Sequence, residues 1–274
     1  MKPAIFRAAL AVAVVAGCAS VALAETETFE KAFSLQGVER LRVENVNGAV
    51  ELKTWDRDYV RVTAVKSGSS WALANTSIKV TQPGSEIRIE TLTPHTRHFF
   101  SFLFGGHRTA KVEYELLAPA RVAARLETVN GAVRVDGRRA ELRAETVNGS
   151  LDLRDIHGPV HGETVNGRIT LSADIAEDTR LETVNGSIQA TFPAASSFRY
   201  DLSSMNGSME VGDRRSHAHA IGIKSFEGEI NGGRALLKAE TVNGGIHIFL
   251  SGAGSPGATT SAPAPVADSH DSDD

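Results

Sequence analysis

Glutamates recur in this sequence at a spacing that could bring their carboxylates side by side. The pentapeptide Glu-Thr-Val-Asn-Gly occurs at 127–131, 145–149, 163–167, 182–186 and 240–244. A variant, Glu-Asn-Val-Asn-Gly, sits at 44–48, with looser copies at 203–207 (Ser-Ser-Met-Asn-Gly) and 224–228 (Lys-Ser-Phe-Glu-Gly). Stacked in register, Glu127, Glu145, Glu163 and Glu182, with Glu240 further along, form a row. Neighbours about 5 Å apart repel by roughly 1 kcal/mol per pair even in water. A bound calcium ion would relieve this, but the chain offers another remedy. Two residues before each Glu, on the same strand face, stands Arg42, Arg125, Arg143, His161, Arg180 or Lys238. The two divergent copies lose acid and base together, having Asp201/Ser203 and Gly222/Lys224. The Gly-Gly-x-Gly-x-Asp pattern of calcium-loading rolls is absent. The expectation is a self-neutralising structural ladder, with no metal and no cofactor.

Other candidate chemistry is sparse. Phe99, Phe100, Phe102 and Phe104 put four of the eleven Phe into six residues, flanked by His95, His98 and His107. That much aromatic surface should not stay open to water. It reads either as a cap folded over the sheet end or as a partner-binding loop, where aromatics bury much area for little lost freedom. The histidines lack established zinc spacing. Nucleophile-elbow, zincin, Walker and dinucleotide motifs are missing, so no catalytic residue is named. Asp201, Asp213, Arg214 and Arg215, or Asp152, Asp155, Asp174 and Asp178, are the nearest approach to a carbohydrate-active set, and loop charges of this kind are ordinary.

The elements that position these groups follow from the repeat. Taking the Asn position as reference (Glu in the last loose copy), the steps from 130 onward are 18, 18, 19, 21, 21 and 16 residues. Each unit carries two alternating runs, such as Leu142-Arg-Ala144 and Leu151-Asp-Leu153, which is the period of β-strands. Further strands are expected at Leu41–Val46, Ala49–Trp55, Tyr59–Val65, Ser77–Thr81, Glu86–Thr91 and Lys111–Leu117. Asn-Gly between such runs signals either an antiparallel hairpin or a corner of a β-solenoid. The residue before the Asn is apolar in every copy (Val46, Val129, Val147, Val165, Val184, Met205, Phe226, Val242), which favours a corner that turns it into the core. Asn and Gly both tolerate left-handed backbone, and stacked Asn amides can hydrogen-bond from coil to coil. Seven corners from Asn130 to Asn243 would span about 30 Å at ~4.8 Å per step.

The ends stand apart. Residues 1–24 have a basic start (Lys2, Arg7), an apolar run and Ala22-Leu23-Ala24, the features of a cleaved export signal. Val15-Ala16-Gly17-Cys18 also resembles a lipobox, so Cys18 is a candidate lipid anchor, although cleavage after Ala24 is favoured. Residues 251–274 are Gly/Ser/Ala/Pro-rich with four terminal Asp and read as a disordered acidic tail. Between them, 25–250 form a single domain, with N-terminal strands at 25–120 and repeats at 121–250. A formal charge of −4 excludes a strongly basic nucleic-acid binder, and one Cys excludes a disulfide scaffold.

Leu41–Val62 (LRVENVNGAVELKTWDRDYVRV), Tyr114–Pro119 (YELLAP) and the Asn-Gly units resemble the bacterial putative-adhesin family of β-strand-repeat domains of unknown function, related to the autotransporter-adhesin-head GIN domains. The resemblance covers about residues 30–250. It implies an all-β, right-handed parallel β-solenoid of about 18–21-residue coils in the cell envelope, and it implies no enzyme activity. The expected function is adhesive or scaffolding, with an envelope protein, a glycan or a membrane surface as partner. A carbohydrate-active solenoid enzyme and an envelope-stress or assembly factor are the alternatives. The expected location is the periplasm or outer envelope.

Overall fold

A computed structural model describes residues 25–93, 109–175, 177–212, 214–216 and 224–252. The export signal with Cys18, the segment carrying Phe99, Phe100, Phe102 and Phe104, and all but the start of the acidic tail lie outside the described residues.

The chain alternates between two sheets. Its N-terminal part comprises β1 (Glu25–Ser34), β2 (Arg40–Glu44), β3 (Val50–Trp55), β4 (Tyr59–Gly68), a short helix α1 (Ser70–Ala74), β5 (Ser77–Thr81), β6 (Glu86–Leu92) and β7 (Lys111–Pro119). The regular middle follows as β8 (Ala123–Asn130), β9 (Val133–Arg138), β10 (Leu142–Asn148), β11 (Leu151–Ile156), β12 (Val160–Asn166), β13 (Ile169–Ala173), β14 (Thr179–Asn185) and β15 (Ile188–Pro193). The last part is β16 (Phe198–Asn206), β17 (Met209–Val211), β18 (Arg214–Ser216), β19 (Lys224–Ile230), β20 (Ala235–Asn243) and β21 (Ile246–Ser251). The expected strands are all present, while β1 and α1 were not foreseen.

One sheet has the order β1-β4-β7-β3-β9-β11-β13-β15-β21-β17-β18, the other β19-β16-β20-β14-β12-β10-β8-β2-β6-β5. Within each, strands of successive coils pair in parallel, residue for residue: Glu127, Glu145, Glu163, Glu182 and Glu240 share one register position. This is a solenoid, and the hairpin reading is excluded. Stacking order departs from chain order at both ends. The coil of β20 and β21 lies between those of β14–β15 and β16–β17, although it comes last. At the other end, β2 and β3 lie inside β6 and β7. The seven Asn corners therefore run 47, 130, 148, 166, 185, 243, 206. Glu227 is not a corner: β19, which holds the Lys-Ser-Phe-Glu-Gly copy, pairs antiparallel with β16 and closes that end. Antiparallel strands also close the other edges, with β5 on β6, β4 on β7, β1 on β4 and β18 on β17.

Each middle coil sends about four side chains inward, for example Leu142, Ala144, Leu151 and Leu153, all fully buried. These layers stack into one continuous core, within which the rings of Phe192 and Phe198 meet with centres 4.9 Å apart. Arg138 is also buried, its guanidinium donating to the carbonyls of Val122 and Ala118 and to Thr54 Oγ1. Burial pushes its pKa down to about 10.

Candidate functional site

The repeat builds one corner of the solenoid as a set of parallel rows. In Glu-Thr-Val-Asn-Gly the alternation of the strand continues up to the Asn. The Glu points out, the Thr points in and the Val points out again. Thr128, Thr146, Thr164, Thr183 and Thr241 are buried. Their hydroxyls donate to the carbonyls of Gly48, Gly131, Gly149, Gly167 and Gly186 on the neighbouring coil. A buried hydroxyl satisfied in this way costs little. The expectation that the valines turn into the core is therefore overturned. Val184 and Met205 are 41% and 42% exposed and the other valines are half-buried at the surface, whereas Phe226, on the antiparallel β19, packs against the core.

The Asn row is the amide ladder the sequence suggested. Nδ2 of Asn148, Asn166, Asn185, Asn243 and Asn206 donates to Oδ1 of Asn130, Asn148, Asn166, Asn185 and Asn243 over 2.8–3.0 Å. Left-handed backbone is not its cause, for no ladder Asn has a positive φ, and of the repeat glycines Gly48 and Gly244 have one (φ +124° and +156°) while those at 131, 149, 167 and 186 do not. Glycine is required because coils touch backbone to backbone. A Cβ on Gly149 would lie 1.9 Å from the Gly131 carbonyl oxygen, and one on Gly167 would lie 1.8 Å from that of Gly149.

The acid row is neutralised by the base row as expected. Arg42 reaches Glu44 at 2.6 Å and Glu127 at 3.4 Å; Arg125 bonds Glu127 and reaches Glu145 at 3.6 Å. Arg143 bonds Glu145, Arg180 bonds Glu182, and Lys238 holds Glu240 at 2.8 Å. The hydrogen bond that Arg125 donates to Glu127 raises the Arg125 pKa. Asp201 and Ser203 occupy the same two rows, opposite Lys238 and Glu240. The other supposed joint loss falls outside the ladder, because Lys224 belongs to an antiparallel strand and Gly222 lies outside the described residues. Within the middle coils His161 interrupts the arginines, at 3.7 Å from Glu163, whose side chain is 48% exposed against 25% for Glu127, Glu145 and Glu182.

One further copy escaped the sequence reading. Glu90-Thr91-Leu92-Thr93 is in register with Glu44-Asn45-Val46-Asn47, since Arg88 and Glu90 pair with Arg42 and Glu44. The run Arg88-Ile-Glu-Thr91 matches Arg125-Leu-Glu-Thr128, and that likeness was the available signal. Here Asn45 replaces the inward Thr. Its Nδ2 donates to Gly48 O and Val112 O, and its Oδ1 accepts from Thr91, which also bonds Tyr114 at 2.7 Å. Burial pushes the Tyr114 hydroxyl up to about 12.

Between the Glu row and the Val row runs a groove. Its larger part, about 500 Å³, extends from Glu90 and Leu92 past Val46, Val129 and Val147 to Glu163 and Val165. A second stretch of about 380 Å³ shares Glu163 and Val165 and continues past Val184 and Val242 to Met205. The groove thus crosses every described coil, with an apolar wall facing carboxylates that neighbouring Arg, Lys and His side chains already engage. Such a surface suits contact along its length better than chemistry at one point. Among the described residues, no helix is long and apolar enough to cross a membrane, and no group of three or more metal-ligating side chains is present.

A search of the curated proteins returns no match. Solved structures are similar in outline. A putative cell adhesion protein from Clostridium sporogenes aligns over 82% of this chain and all of its own, at 12% identity and a TM-score of 0.48. A putative adhesin from Bacteroides fragilis aligns over 81% of this chain and 97% of its own, at 9% identity and a TM-score of 0.33. A family model spanning residues 36–249, which takes in the coil stack but not β1, also matches, and the chain belongs to the Toastrack DUF4097 family.

Proposed function

We propose that this protein is an exported, non-enzymatic binding or scaffolding module of the bacterial envelope, and that the groove along the coil stack is its recognition surface. The observation that carries the reading is the Val row. Apolar side chains stand outward at the same position of successive coils, from Leu92 through Val165 to Met205. A solvent-facing row maintained over so many coils is a continuous apolar strip of the kind that marks contact surfaces. Successive coils lie about 4.8 Å apart, so an elongated ligand would meet the same chemistry at every step. In this reading the coils wind right-handed, the sense that parallel connections within a sheet almost always take. Export rests on residues 1–24, with Cys18 as the anchor if lipidation replaces cleavage after Ala24. Phe99, Phe100, Phe102 and Phe104 are the second contact element, since their segment joins the chain beside Leu92, where the groove begins.

The test is co-sedimentation of the purified protein with bacterial envelope membranes and with peptidoglycan sacculi. Val147→Lys combined with Val165→Lys should weaken retention about tenfold or more while leaving the thermal midpoint close to that of the parent. Unchanged retention by a folded double variant would sink the groove reading. Deleting residues 99–104 in parallel separates the two elements: if only that deletion abolishes retention, the aromatic segment is the contact and the groove is not.

A further inference from the structure

The outermost strands are unequal. Among the described residues, β18 has three residues, β5 five and β19 seven, whereas β1 has ten. Among the described residues β1 pairs with β4 along one side only and ends its sheet. Its other side presents a long row of backbone donors and acceptors, the feature that recruits a further strand. Of its residues only Phe29 and Phe33 are partly covered, and both pack against the core. That puts the odd-numbered residues Glu25, Glu27, Phe29, Lys31 and Phe33 on the core-facing side, and Thr26, Thr28, Glu30, Ala32 and Ser34 on the other, because side chains alternate along a strand.

The odd-numbered side is self-complementary. A partner strand that keeps the same side toward the core must place odd residues opposite odd residues. Parallel in-register pairing would set Glu27 against Glu27 and Lys31 against Lys31, which is repulsive. Antiparallel pairing centred on Phe29 sets Phe29 against Phe29 and Glu27 against Lys31 on both sides of the axis. It also uses nine residues, from Glu25 to Phe33. Centring one residue earlier shortens the pairing, and centring one later opposes Glu30 with Glu30. We propose that the protein forms a two-fold dimer by antiparallel pairing of β1 with β1 of a second copy, in the register centred on Phe29. Two solenoids would then share one continuous sheet, end to end, and the short β18 at the far edge would prevent the contact from propagating into a fibre. This rests on the edge alone and is independent of what the groove binds.

Sedimentation velocity of the full chain over about a hundredfold range of concentration should show a monomer–dimer equilibrium. Lys31→Glu replaces two attractive cross-strand pairs by two repulsive ones and should weaken dimerisation about tenfold or more. The double exchange Glu27→Lys with Lys31→Glu, combined with Lys66→Glu to keep the ion pair that Glu27 makes with Lys66 of β4, restores the pairs and should restore the dimer, with thermal melts confirming that the variants fold. A wild-type chain that stays monomeric, or a double exchange that does not rescue, overturns the proposal. Register is read independently in a Cys18→Ser background. Opposed residues of an antiparallel pair have Cα atoms about 4.5–5.5 Å apart, within disulfide reach. Phe29→Cys should cross-link the dimer under oxidation, and Phe33→Cys, opposite Glu25 of the second copy, should not. Equal cross-linking at both positions would also overturn it.

Discussion

The middle coils and the end coils are built from the same unit and differ in what lies beside them. From β8 to β15 each coil has a like coil above and below. Every position then faces its own kind, and Arg, Glu, Thr, Val, Asn and Gly repeat nearly unchanged. At the ends a coil meets a like coil on one side and an antiparallel strand on the other. There Asp201 and Ser203 replace the ion pair, Thr93 stands in the Asn position, and Asn45, Thr91 and Tyr114 form a local network in place of one link of the hydroxyl ladder. Repetition in this sequence is thus a record of repeated surroundings.

The largest break of that contrast should come at the glycines. Gly167→Ala puts a methyl carbon 1.8 Å from a main-chain oxygen of the next coil, which cannot move without shifting a whole strand. The expected cost is about 3 kcal/mol or more, read as a loss of the folded baseline or a large fall in the denaturation midpoint. Gly37→Ala, in the turn after β1, meets no atom within 4 Å and has φ +72°. It should cost only the left-handed strain of about 1–2 kcal/mol. Similar losses at both sites would show that backbone conformation, and not coil contact, selects glycine in the stack.

The amide ladder offers a smaller test along the same axis. Asn166 has a ladder neighbour on each side, donating to Asn148 and accepting from Asn185, whereas Asn206 ends the row with a single bond to Asn243. Asn166→Ala should lower stability by about 1–2 kcal/mol and Asn206→Ala by about half as much, at roughly 1 kcal/mol or less per exposed bond. Chemical denaturation of the two variants side by side measures the ratio. Equal losses would mean that the ladder does not act pair by pair.

Much of this was legible in the residues, because a solenoid writes its period into its sequence. The parallel stack, the coil boundaries, the Asn ladder and the acid–base rows all follow from the fixed spacing of like residues. The direction of the valines was misread because burial was assigned by hydrophobicity alone. Thr was overlooked as the inward group because its hydroxyl bonds a glycine carbonyl of another coil, a partner that no local pattern reveals. The order of the last coils was hidden for a related reason. Chain order and stacking order part company when a segment such as β16–β19 is placed outside the coil that follows it, and register alone does not encode that choice. The groove was missed with the valines, since it exists only because they face out.

The smallest and most specific expectation concerns the one position where the middle coils break their own rule. His161 stands in register between Arg143 and Arg180, where every other middle coil has an arginine. Burial, and then the charge of Arg143, hold its pKa below the ordinary 6.5, against the pull of Glu145 and Glu163. A histidine whose folded pKa is depressed takes up its proton more readily when unfolded. Its contribution is therefore fully present above pH about 6.5 and lost as the pH falls below that value. His161→Gln cannot charge, so it should flatten the stability profile between pH about 6.5 and 5 while changing little at pH 8. Because the side chain is still a quarter exposed, the difference should stay under about 1 kcal/mol. Parallel melts of the two proteins across that range decide it. A slope that survives the substitution would assign the acid sensitivity to the carboxylates of the ladder, and the histidine would then be a tolerated lapse in the row.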